Sequence, residues 1–242
     1  IFPSFTFPNH YSIATGCYAD KHGILGNSFY DIKRKETYSY KIPSTVQDGS
    51  WYGCEPIWVT AEKNNIIAAS YFWVGSEAEI NGYRPSIYKN YKNGINPISK
   101  VDSAMKWINN KNDNIPGLIT LYFNEPDHSG HVFGPNHINT QLQVELADSI
   151  LGYLLNSIND LKIKDRVNLI VVSDHGMVEV SEEKLINYAD NCLRHVWRGE
   201  HFSWHIEFLD CASGILILES SRRLTQANRS LRSAASGSQL VY

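Results

Sequence analysis

The sequence predicts one α/β domain built on a largely parallel sheet with helices on both faces. Three apolar runs of strand length, at 66–72, 117–123 and 167–172, alternate with segments of helical periodicity, which is typical of βαβ units. The runs are almost continuously apolar, and this favours strands that are buried on both faces. At 242 residues the chain is long enough for one sizeable domain and short for two with independent cores.

Two short helices are expected around the first strand. Pro8 suits a first helical turn and Gly16 suits a helix end, so one short helix lies near the start of the chain. A second is expected within 55–65, where proline stands in the first turn and two asparagines stand at the end. It leads directly into the strand at 66–72.

Two longer helices are expected around the second strand. Apolar residues recur at helical spacing between 98 and 108, and we place Lys100 on the polar side of this surface helix. The longest helix is predicted at 139–161, where leucine and isoleucine recur along one stripe. After about residue 190 this alternation is lost, and 191–242 ends in a stretch rich in serine and arginine. We therefore assign 1–190 to the folded domain and 191–242 to a divergent, poorly packed tail.

Composition excludes several classes of protein. A formal net charge of −3 provides no basic field for a nucleic-acid polymer. No apolar run approaches the roughly 18 residues that a membrane span needs. The chain begins at Ile1 without a signal-peptide pattern, so we expect it to start inside a longer one. Its 4 cysteines form no CxxC pair, which leaves their pairing and the compartment open.

Acidic and histidine residues follow two of the predicted strands. Asp127 and His131 come after the run at 117–123, and Asp174 and His175 after the run at 167–172. Because the carboxyl ends of parallel strands meet at one edge of a sheet, these four side chains can converge there. Carboxylate oxygen and imidazole nitrogen suit zinc. The alternative is that they are ordinary loop or helix-capping residues.

Thr6 lies just before the predicted first helix. A helix N-terminus carries free backbone N–H groups that attract phosphate oxygens. A threonine hydroxyl becomes a good nucleophile when a metal ion binds it, and the acidic and histidine residues could supply that ion. The alternative is that Thr6 is a plain helix cap.

Five segments together resemble successive motifs of the nucleotide pyrophosphatase/phosphodiesterase family, the ectonucleotidases of the alkaline phosphatase superfamily. They are "TFPNHYSIATGCYADKHGILGN", "EPIWVTAE", "YFWVGSEAEINGYRPSIYKNY", "TLYFNEPDHSGH" and "NLIVVSDHGM". The resemblance covers about residues 5–187. It implies an alkaline-phosphatase-like fold, two zinc ions, a covalent nucleotidyl-threonine, a small nucleotide substrate and an extracellular or cell-surface location.

The resemblance also implies individual roles. Thr6 matches the nucleophile that bridges toward phosphorus, and Asn27 matches the residue that hydrogen-bonds a phosphate oxygen. Asp127 and His131 match two ligands of one zinc, and Asp174 and His175 match two ligands of the other. Phe7 and Tyr91 match the rings that hold the base. The substrate-binding set is completed by Tyr122, Trp73 and Glu77, the last at a position where nucleotide-preferring members often carry aspartate.

The chain departs from the family pattern in two ways, and these departures leave alternative functions open. A further aspartate ligand upstream of Thr6 and a late histidine ligand are missing, and His195, His201 and His205 match nothing in the pattern. Residues 1–190 would then be an incomplete catalytic domain, and this chain would be inactive or nearly so. One rival hypothesis is hydrolysis of lysophospholipid or choline-phosphate esters, and another is a non-catalytic remnant that binds a ligand or partner.

Overall fold

The computed structural model describes residues 3–109 and 114–180. Residues 1–177 form one compact unit and 178–242 a second, of which only 178–180 are described. The predicted tail, 191–242, lies outside the described residues. In chain order the helices are α1 (Thr6–Thr15), α2 (Ala19–His22), α3 (Pro43–Val46), α4 (Ile57–Lys63), α5 (Pro97–Ile108), α6 (Asp127–Phe133) and α7 (Ile138–Asn159), with 3-10 turns at Gly49–Trp51 and Lys164–Arg166; the strands are β1 (Ser28–Asp31), β2 (Glu36–Ser39), β3 (Ala68–Tyr71), β4 (Ile87–Lys89) and β5 (Leu118–Leu121).

A parallel three-stranded sheet positions the site. Its strand order is β4-β3-β5, and Ala69 of β3 pairs with Ile87 on one side and Ile119 on the other. The strands predicted at 66–72 and 117–123 are thereby confirmed as β3 and β5. All three strands run the same way, so their carboxyl ends share one edge.

Helices cover both faces of this sheet, as predicted. Ala68 belongs to a core cluster with Tyr11 of α1 and Trp58 of α4. Tyr71, three residues further along β3 and therefore on the opposite face, contacts Trp107 of α5 at 6.0 Å between ring centroids. On that side α5 and α7 share a smaller cluster of buried residues, Val101, Ile150 and Leu154. The α/β fold class is confirmed.

The predicted strand at 167–172 is wrong as an element of the described sheet. The segment pairs with no strand within 3–109 or 114–180, and Ile170 and Val171 are 82% and 64% exposed. A continuous apolar run indicates burial only where neighbouring strands and helices cover it, and the described part of the chain offers no such neighbours here. The apolar stripe of α7 shows the same effect, since Leu142 is 51% exposed.

Lys100 corrects a second expectation, because it is buried on α5 rather than solvent-facing. Two features were not predicted at all. The antiparallel hairpin of β1 and β2 pairs Phe29 with Tyr38, and a disulfide joins Cys17 to Cys54. The disulfide ties the chain just after the end of α1 to the segment before α4, and Tyr11 of α1 packs in one buried cluster with Phe29 and Tyr38 of the hairpin. Of the helices in the described ranges, none has the length and apolar character to cross a membrane.

Candidate active site

Thr6 is the first residue of α1, not the residue before it as the sequence predicted. Phe5 takes the capping position and its side chain makes no capping hydrogen bond, while Gly16 ends the helix in the left-handed conformation at φ 69°. The Phe7 N–H donates to Asn27 Oδ1 at 3.0 Å. Because the Asn27 oxygen is engaged there, its NH₂ group is the end that can donate to a ligand beside Thr6.

Two side chains of α1 anchor the segment that contains Asp174. Asn9 Nδ2 donates to the Asp174 carbonyl at 2.9 Å and to the Pro3 carbonyl at 2.7 Å. His10 Nδ1 lies 2.9 Å from the Thr6 carbonyl and 3.4 Å from Asp174 Oδ2. Burial alone would raise the pKa of Asp174, but the His10 hydrogen bond and the charges of His10 and His175 outweigh burial, so the pKa lies below its usual value. Asp174 is therefore held as a carboxylate.

His175 lies at the centre of the cluster. Its Nε2 is 3.5 Å from Thr6 Oγ1, 3.4 Å from Asp174 Oδ2 and 3.8 Å from Asp127 Oδ1. Asp127 and His131 are spaced i, i+4 on α6, which puts them on one helix face, and Asp127 Oδ1 lies 3.4 Å from His131 Nε2. The structure thus brings Thr6 and all four predicted ligands to the carboxyl edge of the sheet.

This donor set fits zinc. Asp127 Oδ1 is buried and accepts no hydrogen bond from the described protein, and such a buried acceptor requires an explanation, of which an ion is one. The imidazole nitrogens of His131 and His175 lie 3.4 and 3.8 Å from it, and carboxylate oxygen with imidazole nitrogen is a zinc donor set. Within 3–109 and 114–180, no three His, Cys, Asp or Glu side chains are arranged to hold an ion by themselves.

Aromatic side chains line one side of the cluster. Phe7 contacts Tyr40 at 5.9 Å between ring centroids, and Tyr91 contacts Phe72 at 5.2 Å and Tyr122 at 6.5 Å. Tyr91 is 53% exposed, so its ring is open to a ligand. Burial, followed by the nearby Tyr91 and the site carboxylates, raises the pKa of Tyr122, which keeps its phenol protonated.

Glu77 and Trp73 use their polar atoms within the protein. Glu77 Oε1 accepts the Tyr91 N–H at 2.6 Å, and Oε2 accepts from Gln47 Nε2 at 3.3 Å. The Trp73 indole N–H donates to the His10 carbonyl at 3.0 Å. Both residues therefore support the walls of the site, Glu77 through Tyr91 and Trp73 through His10.

Sequence reasoning missed three residues of this site, Asn9, His10 and Tyr40. His10 could have been found, because it stands four residues after Thr6 and so on the same face of α1. Tyr40 gave no such signal, since it follows a hairpin that the sequence did not predict. The hydrogen bond from the Tyr40 N–H to the Asn27 carbonyl, at 2.9 Å, brings it to the site.

Comparisons with known proteins show which family the chain resembles. Residues 1–236 match the family model described as type I phosphodiesterase / nucleotide pyrophosphatase. The chain is 40% identical over 194 residues to venom phosphodiesterase CdcPDE of Crotalus durissus collilineatus, covering 79% of this chain and 23% of that protein. It is 39% identical over 186 residues to ectonucleotide pyrophosphatase/phosphodiesterase family member 1 of Homo sapiens, covering 77% of this chain and 20% of that protein.

A solved structure is similar over the same region. Murine ectonucleotide pyrophosphatase/phosphodiesterase 5, an inactive threonine-to-alanine variant in complex with AMP, matches with a TM-score of 0.72 at 29% identity, over 78% of this chain and 50% of that chain. The present chain thus spans half of that structure and 20–23% of the curated relatives named above. Because the family model matches almost the whole chain, the resemblance is confirmed, and the chain belongs to the type I phosphodiesterase/nucleotide pyrophosphatase family of the alkaline phosphatase superfamily.

Proposed function

We propose that this chain carries the reactive centre of a zinc-dependent hydrolase of nucleotide phosphodiester or pyrophosphate bonds, with Thr6 as nucleophile. The observation that carries the proposal is the position of Thr6 Oγ1, at the start of α1 and 3.5 Å from His175 Nε2. A hydroxyl here faces a predicted metal ligand on one side and the N-terminus of a helix on the other. Asp127 and His131 would hold one zinc, and Asp174 and His175 the other.

The residues around Thr6 have separate parts in the proposed reaction. Thr6 Oγ1 attacks the α-phosphorus and forms a P–O bond, while the bond from phosphorus to the leaving oxygen breaks. The Asn27 NH₂ group, oriented by the Phe7 N–H, donates to a phosphoryl oxygen as negative charge develops there. Zinc held by these residues would lower the pKa of the Thr6 hydroxyl and would supply positive charge to stabilise the phosphoryl oxygens. Water then attacks phosphorus, the threonyl bond breaks, and a nucleoside monophosphate leaves.

The aromatic residues support a small nucleotide as the substrate rather than a nucleic-acid polymer. Phe7 and Tyr91 offer ring faces to a base, with Tyr122 behind them. The murine relative binds AMP in its threonine-to-alanine variant, which supports both a nucleotide ligand and a threonine essential for turnover. We further propose an extracellular or cell-surface location, because the Cys17–Cys54 disulfide is typical of an oxidising compartment.

The test compares two esters after the protein has been dialysed against zinc. The two ligands that are missing from this chain should keep turnover low. What turnover there is should be faster on p-nitrophenyl thymidine monophosphate than on p-nitrophenyl phosphorylcholine, and Thr6→Ala should abolish it while AMP still binds. Thr6→Ser, the matched control, keeps a hydroxyl and should keep measurable turnover. A preference for phosphorylcholine would favour the choline-ester alternative. Zinc or AMP binding without turnover of either ester would favour the non-catalytic remnant.

A further inference from the structure

Lys100 is a buried cation that the proposed reaction does not use. It lies in the N-terminal part of α5, is 3% exposed, and forms no ion pair within residues 3–109 and 114–180. A positive charge near a helix N-terminus opposes the helix dipole, and burial disfavours the charged form. Burial lowers the pKa of Lys100 to about 8. An apolar side chain of similar length would avoid both costs.

The contacts of the Lys100 ammonium group offset the free-energy cost of burying its charge. Lys100 Nζ donates to the Tyr122 carbonyl at 3.0 Å. The same nitrogen lies 5.2 Å from the ring centroid of Phe72, 5.9 Å from that of Tyr122 and 5.3 Å from that of Phe123. These distances are within the range of cation–π attraction. The cation therefore joins the ends of two strands, since Phe72 follows β3 and Tyr122 follows β5.

These strand ends support the aromatic pocket. Phe72 has a left-handed backbone at φ 71°, which is strained for a residue of this size. Its ring contacts Tyr91, and Tyr91 in turn contacts Tyr122. Tyr91 and Tyr122 thus both rest on groups that Lys100 touches. Movement of either strand end would tilt the rings offered to the base.

We propose that Lys100 is a positioning residue whose ammonium group holds the ends of β3 and β5 beneath Tyr91 and Tyr122, and so sets the affinity of the pocket for the planar base of the substrate. The proposal deepens the function proposed above and rests on it. It does not place Lys100 in contact with substrate. Its effect should therefore appear in the binding of the base and not at phosphorus.

The test is Lys100→Met, which keeps the length of the side chain and removes the charge and the donor. We expect KM for p-nitrophenyl thymidine monophosphate to rise about fivefold to tenfold with little change in kcat. The kcat/KM for methyl p-nitrophenyl phosphate, which has the same reacting group and no base, should change by less than about twofold. Lys100→Arg keeps the charge and should restore most of the loss. Lys106→Met, at an exposed position of α5, is the matched control.

Equal losses on both substrates, or a KM for Lys100→Met no different from that of Lys106→Met, would overturn the inference. If Lys100→Met does not fold, Lys100→Gln decides, with the same expectations, because it keeps a donor and loses the charge. Failure of both to fold would show a purely structural role and would also overturn it. If the unmodified protein hydrolyses neither ester, the proposed function fails. The near-UV circular dichroism of the aromatic rings then tests positioning separately, with a change expected for Lys100→Met and none for Lys106→Met; an unchanged spectrum overturns it.

Discussion

The two acidic and histidine pairs that follow β5 and the run at 167–172 differ in how the fold holds them. The side chains of Asp174 and His175 are 20% and 9% exposed, whereas those of Asp127 and His131 are 36% and 71% exposed. From sequence the two pairs are equivalent. In the structure the pair at 174–175 is enclosed by the protein, whereas in the other pair Asp127 is half-buried and His131 faces solvent.

The difference lies in the number of elements that contact each pair. The Asp174 carbonyl accepts a hydrogen bond from Asn9, and the Asp174 carboxylate lies beside the His10 ring. His175 lies beside Thr6. His131 instead faces Asp127 of its own helix, α6. The pair at 174–175 is therefore preorganised by α1, while the pair at 127 and 131 is oriented mainly by helical spacing. A preorganised pair should bind its ion more tightly, because less side-chain freedom is lost on binding.

The largest effect is expected from comparing His175→Ala with His131→Ala. Because His175 touches Thr6 and both aspartates, its loss should weaken zinc binding by more than about 100-fold, beyond the range for an outer partner. Loss of the exposed His131 should weaken zinc binding by about tenfold. Competition with a chelating dye measures both. His128→Ala, at an exposed position on α6, should change nothing, and equal losses at 175 and 131 would refute the ranking.

A smaller effect is expected at His10. Its ring contacts Asp174 without belonging to the predicted ligand set, so His10→Ala should weaken zinc binding by about 10- to 100-fold, as loss of an outer partner does. His10→Asn places an amide donor near the position of Nδ1 and should recover part of the loss. Zinc titration of the two variants provides the measurement. If asparagine were no better than alanine, the hydrogen bond from His10 would not be what orients Asp174.

The sequence predicts the strands that position this site better than it predicts which residues around the site are buried. The sequence predicts β3 and β5 because continuous apolar runs bounded by turns are strong local signals. The run at 167–172 carries the same signal, yet it lies exposed, because a run cannot show whether a partner strand is present. Periodicity predicts a solvent-facing Lys100 because it treats lysine as polar, although the apolar stem of lysine can be buried where a backbone carbonyl accepts a hydrogen bond from its ammonium group.

The residues of the site show the same division. Asp127 and His131 follow the end of β5, and the topology of a parallel sheet brings such ends to one edge. Asp174 and His175 follow a run that is no strand of the described sheet, and contacts from Asn9 and His10 of α1 hold them there instead. The contact from His10 to Asp174 and that from Gln47 to Glu77 depend on tertiary packing, which leaves no mark on local spacing. The resemblance to a family supplied roles for single residues. It did not indicate which residues hold the others in place.

A modest effect is expected at Gly130, where α6 approaches the segment after His175. A Cβ on Gly130 would lie 2.2 Å from Met177 Sδ, so Gly130→Ala must displace Met177. That side chain is flexible, and we expect destabilisation by about 1 kcal/mol, at the low end for overpacking, with zinc binding weakened by a few-fold at most. Thermal unfolding and zinc titration measure the two effects. Gly130→Ala combined with Met177→Ala should recover both the stability and the zinc affinity. A double variant as unstable and as weak in zinc binding as Gly130→Ala alone would show that Met177 is not the obstacle.

The smallest effect concerns α1 itself, which preorganises the enclosed pair. His22 is wholly buried against α1, and its Nδ1 accepts the Ile24 N–H, so Nε2 carries the proton that is donated to Ser12 Oγ at 2.9 Å. Burial lowers the pKa of His22 from 6.5. The neutral ring therefore adds to the free energy of unfolding above the pKa of the unfolded chain. That contribution is lost as the pH falls below about 6.5, because the unfolded chain then binds the proton more readily.

We therefore expect the midpoint of thermal unfolding to fall between about pH 7.5 and pH 5.5, and to fall less in His22→Gln, which can still donate to Ser12 but does not titrate. The measurement is made with a chelator present, so that protonation of the predicted zinc ligands does not enter through loss of metal. His128→Gln is the matched control, because that imidazole is exposed and its removal should leave the pH dependence unchanged. If His22→Gln had the same pH dependence as the unmodified protein, the neutral ring would not be what secures α1, and the order of the enclosed pair would have to come from Asn9 and His10 alone.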